Sequence, residues 1–422
     1  MLRILKKRID RTIVRRNLPP AGKAELKRDL KGLSSEDSGI EKTIEGAMGW
    51  LCRAQDNSAS ADGGVARAYS LVSGWSSSYP ETTGYIIPTF LEWARRTGVD
   101  ETRLRAQRML RWLRGIQMPC GGFQGGMIDS KPVAPVVFNT GQILMGLASG
   151  ERAFGEYREP LTRAADWLVE IQDPDGCWRR HASPFAEAGE KTYDTHAAWG
   201  LLEAARIEPH RGYGEAALAN VRWALTHQRE NGWFDKCCLS NIAHPLTHTL
   251  GYALRGVIEA YRFTDDPRFL HAARRTAEGL LGALRSDGFL PGQLLPDWSS
   301  VAKWACLTGT CQIAICWFLL FQDTGDARFL NAAFSANSFV RRTVSFDVPP
   351  EMAGGVKGSF PLDGEYSKYE YPNWAAKFLV DSLMLETDIS GASPSRILQS
   401  ALDCTSKRSK RDAGPSALAG LP

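Results

Sequence analysis

One phrase recurs along this chain: a tryptophan, four residues, a glutamine, and then a glycine-rich turn. It runs from Trp50 to Gln55 with Asp62-Gly63-Gly64, and from Trp112 to Gln117 with Gly121-Gly122-Phe123. It returns from Trp167 to Gln172 with Asp175-Gly176-Cys177-Trp178, and from Trp223 to Gln228 with Asn231-Gly232-Trp233. The tryptophans are 62, 55 and 56 residues apart. One further step of that size reaches Asp287-Gly288-Phe289, a degenerate fifth copy. Gly354-Gly355-Val356, after Asn337-Ser338-Phe339, is a weaker sixth. A period this regular marks stacked units rather than independent domains.

After each turn comes a second helical phrase with small polar residues near its start. The six are Thr82-Thr83-Gly84, Asn139-Thr140-Gly141, Asp194-Thr195-His196, His248-Thr249-Leu250, Thr308-Gly309-Thr310 and Asn373-Trp374-Ala375. Their Thr, Asn and Asp side chains are expected to accept first-turn N–H groups. Thr264-Asp265-Asp266-Pro267 and Asp323-Thr324-Gly325-Asp326 are expected to close one helix and cap the next. No long period-2 alternation competes with this pattern. The chain is therefore expected to be all-α, an α/α toroid of six helical hairpins over residues 40–387. A ring leaves no uncapped end. The second helices should form the inner ring, and Trp50, Trp112, Trp167 and Trp223 should lie on the outer one.

Charge divides the chain unevenly. Residues 1–31 carry a net +8, residues 387–422 a net +2, and the middle a net −6. An acidic middle argues against nucleic acid as a partner. Segment 1–39 reads as a basic arm. Leu2, Leu5, Ile9 and Ile13 lie at helical spacing among Lys and Arg, which suits contact with an anionic membrane through residues 1–31. Removing the arm is expected to leave the toroid folded. Residues 388–422 read as a disordered tail. No apolar run is long enough to span a bilayer, and no signal-type apolar region follows the first basic residues. The nine cysteines are scattered, which fits reduced thiols. A cytoplasmic protein is expected, with a peripheral place at the inner membrane if the arm binds lipid.

The Trp/Gln/Gly phrase is similar to the repeats of squalene cyclases and protein prenyltransferases, which implies the same six-hairpin toroid. Ser78-Tyr79-Pro80-Glu81-Thr82-Thr83-Gly84-Tyr85, Leu246 to Tyr252, Cys306 to Thr310, and Tyr371 to Phe378 also resemble the VpsJ-like proteins found with bacterial exopolysaccharide genes. That resemblance covers roughly residues 40–387 and implies a role in exopolysaccharide production. The chemistry of the larger families is not matched. A class II terpene cyclase needs an Asp-x-Asp-Asp acid, and Asp265-Asp266 and Asp173-Pro174-Asp175 read as turns. A prenyltransferase would place Asp-x-Cys where Asp129-Ser130-Lys131 stand. Asp235, Cys237, Cys238, His244 and His248 match no standard zinc spacing. No metal and no cofactor is expected.

A carbohydrate site fits the pattern better. If the second helices are the inner ones, their starts gather at one rim. Glu81, Asp194, His248 and Tyr371 are the catalytic candidates, and the first three are expected in one cavity. Asn139, Gln142, His196, Asp297, Tyr366, Glu370, Asn373 and Lys377 supply polar groups for sugar hydroxyls or a uronate. Trp178, Trp233, Trp298 and Trp374 supply flat apolar faces. Each has a plainer role open to it: a cap for Asp194, an ion pair or solvation for Glu81, and core packing for His248, Tyr371 and Trp374. An acid at a helix N-terminus is expected to stay charged, which leaves the proton donor to His248 or Tyr371. The expected activity is that of a glycosidase, lyase or epimerase on an exopolysaccharide or its lipid-linked oligosaccharide. A non-catalytic toroid binding glycan or a partner protein is the alternative. A prenyltransferase- or cyclase-like enzyme is the remote one.

Overall fold

The structure, a computed structural model, describes residues 14–391 apart from 184, 185, 187, 188 and 240–243. Twelve of its helices form two concentric rings. The outer ring holds α2 (Ile40–Asp56), α4 (Asp100–Ile116), α6 (Arg158–Glu170), α8 (Tyr213–Leu225), α10 (Pro267–Ala283) and α12 (Ala327–Arg341). The inner ring holds α3 (Pro80–Thr97), α5 (Val137–Phe154), α7 (Thr195–Ala205), α9 (Thr247–Thr264), α11 (Leu307–Thr324) and α13 (Asn373–Gly391). Each inner helix packs on the next, and α13 returns to α2 and α3, closing the circle. The expected toroid and its phase are found, with the four tryptophans on outer helices.

The recurring glutamine joins consecutive hairpins. The Gln117 amide donates to Gly121 O in its own turn (2.8 Å) and to Pro160 O at the start of the next outer helix (2.9 Å). Gln172 does the same with Gly176 O and Ala216 O (2.9 and 3.0 Å). Gln55 reaches Gly63 O and Arg105 O. Gln228 varies the theme, reaching Ala272 O and the Thr276 hydroxyl. The fifth and sixth hairpins lack the glutamine and keep the turn. Gly288 has φ +84°, and a Cβ there would lie 2.1 Å from Ser335 O on α12. Gly354 has φ +74°, and its Cβ would lie 2.3 Å from Gly46 O on α2. Only glycine suits both the conformation and the contact. The sixth turn is therefore seated on the first outer helix, as each earlier turn is on its successor.

Short strands reinforce that seam, and period-2 patterning is too brief in them to be read from sequence. β1 (Ala68–Ser70) pairs with β2 (Gly74–Trp75) and, across the ring closure, with β5 (Glu370–Pro372) in antiparallel register Tyr69↔Tyr371. β3 (Ala305–Cys306) pairs with β4 (Ser359–Phe360). The Asn373 amide donates to Ala66 O and to the Thr82 hydroxyl, both at 2.8 Å. The inner helices are buried on almost all sides. Residues 307–320 of α11 are buried without a break, which accounts for the long apolar run there.

The expected first-turn caps on the inner helices are not made: α3, α5, α7 and α9 have no side-chain cap. The threonine hydroxyls bind the glycine-turn segments instead. Thr83 accepts from Val65 N (3.0 Å) and Thr140 from Phe123 N (2.9 Å). Asp266 and Asp326 cap outer helices α10 and α12 as expected.

The described part of the basic segment lies against the toroid. α1 (Pro20–Asp29) buries Glu25 and Asp29 against the Lys357 ammonium at 2.8 and 2.6 Å. Its removal would strand a buried cation, so deletion through residue 31 is now expected to destabilise the toroid. The tail from residue 392 onward lies outside the described residues, and 388–391 form the end of α13.

Replacing Gln172 by Ala leaves two carbonyls without this donor and should cost about 1–3 kcal/mol. Gly354→Ala, which forces strain and a clash at the seam, should cost at least as much, roughly 1–3 kcal/mol from the backbone alone. Urea unfolding followed by circular dichroism measures both. Unchanged midpoints would show that these contacts do not hold the ring.

Candidate active site

The inner-helix starts and the glycine turns share one rim, and a cavity of about 330 Å³ opens there. Glu81 enters from the first turn of α3, beside Tyr79. His248 and Tyr252 come from α9, four residues apart and so on one helix face. Tyr366 arrives on the loop before β5, Trp374 on α13, Phe138 on α5, and Arg67 from the segment leading into β1. The walls are aromatic. The Tyr366 ring lies 4.6 Å from the His248 ring, Phe138 lies 4.9 Å from Tyr252, and Tyr79 lies 6.1 Å from Trp374. The Trp374 indole donates to the Tyr366 hydroxyl at 2.8 Å.

Burial sets the protonation of the acid and the base. The Glu81 carboxyl is pushed up to about 7 by loss of hydration, against the opposing effects of the Tyr79 hydroxyl and the Arg67 charge. This reverses the expectation that the helix N-terminus keeps it charged. Desolvation inside the rim outweighs the helix dipole, which acts at the level of about 1 kcal/mol. Burial also lowers His248 to about 3, so its imidazole is neutral, and its Nδ1 has no partner among the described residues. The expected roles therefore change. Glu81 is the group able to hold or release a proton near neutrality, and His248 stays neutral. Arg67 donates to Glu370 at 3.0 Å and stands over the Trp374 ring at 5.3 Å.

Of the expected residues, Glu81, His248, Tyr366 and Trp374 line this cavity, and Glu370 reaches it through Arg67. Asp194 does not join them. It lies behind Phe138 and Tyr193 in a pinched cleft with Trp178 and Lys191, its carboxyl raised to about 8 by burial. It caps no helical N–H either. Tyr371 is not in the cavity. Strand alternation turns it to the other face of β5 from Glu370, where it is buried near Glu25 and Asp29. His196 lies one layer deeper, 4.6 Å from the Tyr252 ring, with Nδ1 2.7 Å from the Gln142 carbonyl. Asn139 is buried on α5 outside the cavity lining. Trp233 and Trp298 pack on each other at 5.2 Å, and the Trp298 indole is held by Asn231 O over α10. Asp297 is exposed and closes a turn with Ser299. Asn373 belongs to the ring seam. Lys377 faces a different cavity, at the opposite end of the lumen, and pairs with Asp381 at 2.6 Å.

Arg67, Tyr79 and Tyr252 were not singled out from the sequence. Tyr79 and Tyr252 lie inside phrases already quoted, directly before Pro80-Glu81 and four residues after His248. Arg67 had no such signal. Among the described residues no group of three or more His, Cys, Asp or Glu is placed to hold a metal ion. Asp235 pairs with Arg229, and the Cys237 thiol donates to Thr249 O. Among the described residues no helix is long and apolar enough to cross a membrane.

The sequence model of the squalene-hopene cyclase C-terminal domain matches residues 79–258, from the start of α3 into α9, with the second, third and fourth glycine turns. A search of curated proteins finds no match. Solved structures are similar over most of the chain. An unsaturated glucuronyl hydrolase specific for heparin has a TM-score of 0.67 at 15% identity, covering 84% of this chain and 98% of its own. A sugar epimerase from a ruminal bacterium has 0.68 at 13%, covering 84% and 98%. A cellobiose 2-epimerase from Bacillus thermoamylovorans has 0.65 at 14%, covering 82% and 98%. At such identity the likeness establishes the α/α toroid.

Because the folded pKa of Glu81 is raised, its contribution to stability is complete below about 4.5 and is lost as pH rises through about 7. Glu81→Gln removes that dependence. The stability of the variant relative to the parent should therefore rise between pH 5 and pH 8, by on the order of a few kcal/mol. Thermal melts at both pH values measure it, and a constant difference would place Glu81 outside a desolvated environment.

Proposed function

We propose that the protein is a carbohydrate-active enzyme that moves a proton at a sugar held in the aromatic cavity. The observation that carries this reading is Glu81: a buried carboxyl poised near neutrality and facing the same space as a neutral histidine. An acid or base is most effective when its pKa lies near the working pH. The lining fits a sugar in two further respects. Aromatic rings offer faces to C–H groups, and Arg67, Tyr79 and Tyr366 offer polar groups to hydroxyls or a carboxylate.

Glu81 is the one carboxylate among the described lining residues. Hydrolysis by a pair of carboxylates needs two across the bond. The arrangement favours lyase- or epimerase-type chemistry, in which a proton is removed from a sugar carbon and then returned or delivered elsewhere on the sugar. In this assignment Glu81, partly ionised at neutral pH, removes the proton and gives it back as the acid, neutral His248 orients the sugar by a hydrogen bond, and Arg67 offsets negative charge that develops on the substrate. The similarity to sugar epimerases supports the choice at the level of the scaffold alone. The substrate we propose is a bacterial exopolysaccharide or its lipid-linked oligosaccharide. The support is the resemblance of the Ser78–Tyr85, Leu246–Tyr252 and Tyr371–Phe378 phrases to exopolysaccharide-cluster proteins. Residues 1–31 would add a salt-dependent contact with anionic membrane.

Mass spectrometry of exopolysaccharide repeat units from cells with and without the gene identifies the modified sugar. With that sugar in hand, Glu81→Gln should lower turnover by about 10²–10⁴-fold while leaving binding within a few-fold. If the unmodified protein binds the glycan and never converts it, the toroid is a binding module and the catalytic reading fails. For the membrane contact, deleting residues 2–13 spares α1. That variant should lose binding to anionic vesicles, and undiminished binding would reject the contact.

A further inference from the structure

The cavity wall that carries Tyr366 is held from behind by residues that never reach the cavity. Tyr366 sits in the connection between β4 and β5, residues 361–369. On the cavity side its ring faces His248 and its hydroxyl accepts from Trp374. Its backbone is tied to β4 through the Ser359 hydroxyl, which donates to Tyr366 O at 2.6 Å and accepts from Tyr366 N at 3.2 Å. The far side of the same connection rests on α1. Asp29 uses one carboxylate oxygen for the Lys357 ammonium (2.6 Å) and the other for Leu362 N (2.8 Å). Glu25 takes a second hydrogen bond from Lys357 at 2.8 Å. Arg15, just before α1, pairs with Asp363 in the connection itself. Tyr369 N then donates to Leu362 O at 3.1 Å, which leads directly to Glu370, the partner of Arg67.

The three charges at the centre are almost fully enclosed: side-chain exposure is 0% for Glu25, 2% for Asp29 and 1% for Lys357. Such a cluster is tolerated only when complete, because removing one member strands the others without water. Its place in the molecule is also specific. It joins the N-terminal segment to the single stretch of chain that brings Tyr366 and Glu370 to the site.

We infer that the N-terminal segment 14–29 is a strut that completes the cavity, with Glu25 and Asp29 as positioning residues for Tyr366 and, through β5, for the Arg67–Glu370 pair. With α1 seated, the Tyr366 ring closes the wall over His248. With α1 released, residues 361–369 lose the anchors at Leu362 N and Asp363, and the wall opens. The inference concerns how the wall is held and stands whatever the cavity binds.

Hydrogen–deuterium exchange on the full chain tests it, comparing the parent with Asp29→Asn and with Glu25→Gln/Asp29→Asn. Peptides covering 361–369 should exchange about tenfold faster or more in the double variant, with a rise in the single variant too, while α5 peptides stay as protected as in the parent. Unchanged protection of 361–369, or an equal rise in α5, overturns the inference. If the double variant fails to fold, Asp29→Asn alone decides. A second readout separates positioning from general loosening. In protein labelled with 5-fluorotryptophan, the Trp374 resonance, assigned by its loss in Trp374→Phe, should shift as the Tyr366 contact changes, while buried Trp317 in α11 stays in place. A fixed Trp374 resonance overturns the strut as well.

Discussion

The structure depends on one contact made six times: a left-handed glycine turn laid against the backbone of the next outer helix. In the first four hairpins a glutamine amide supports this contact, in three of them bridging the turn to the neighbouring helix. A hairpin of this kind cannot bury both its helices alone, so its stability is that of its neighbours. Ring closure at Gly354 and Gly46 gives the last hairpin a neighbour and removes the exposed ends that an open stack would carry. The same geometry fixes function. Because every turn lies at one end, every inner helix begins at one rim, and residues as far apart as Glu81, His248 and Trp374 meet there.

At that rim two physical effects compete for each ionisable group. A helix N-terminus favours negative charge, whereas enclosure by Phe138, Tyr79, Tyr252 and Trp374 removes the water that would stabilise it. Burial prevails for Glu81 and drives His248 the same way, toward the neutral form. Arg67 does not reverse this, because its charge is shared with Glu370. In the function proposed for this cavity, a carboxyl that titrates near neutral pH, beside a neutral histidine and an arginine, is the group that exchanges a proton with the sugar.

Much of this was legible in the sequence because the fold is periodic. The degenerate fifth copy could be located by stepping the period, and the phase of the repeat placed Glu81, His248, Tyr366 and Trp374 at one end. What the period could not convey is rotation about each element. Tyr371 and Glu370 are adjacent in a strand and face opposite ways, and nothing in the helical repeat announces a strand there. Asp194 is the last residue of a 3-10 turn, Thr192–Asp194, and lies behind the aromatic wall rather than within it. Trp233 and Trp298 obey a different use of aromatic residues, packing over an outer helix. Arg67 lies in the irregular segment after a glycine turn, where neither periodicity nor a motif marks it. The N-terminal helix was obscured by its net positive charge, since the two acidic residues that matter most, Glu25 and Asp29, are outnumbered by the basic residues around them.

The central claim is that enclosure at the rim of the closed ring keeps the Glu81 carboxyl protonated near neutral pH. Infrared difference spectroscopy of protein carrying 13C-labelled glutamate, with Glu81→Gln as the subtraction partner, observes that proton directly. The account predicts a protonated carboxyl band for Glu81 at pH 6 that titrates away near 7. A carboxylate band that persists at pH 6 and titrates near the ordinary value of 4.5 would contradict it.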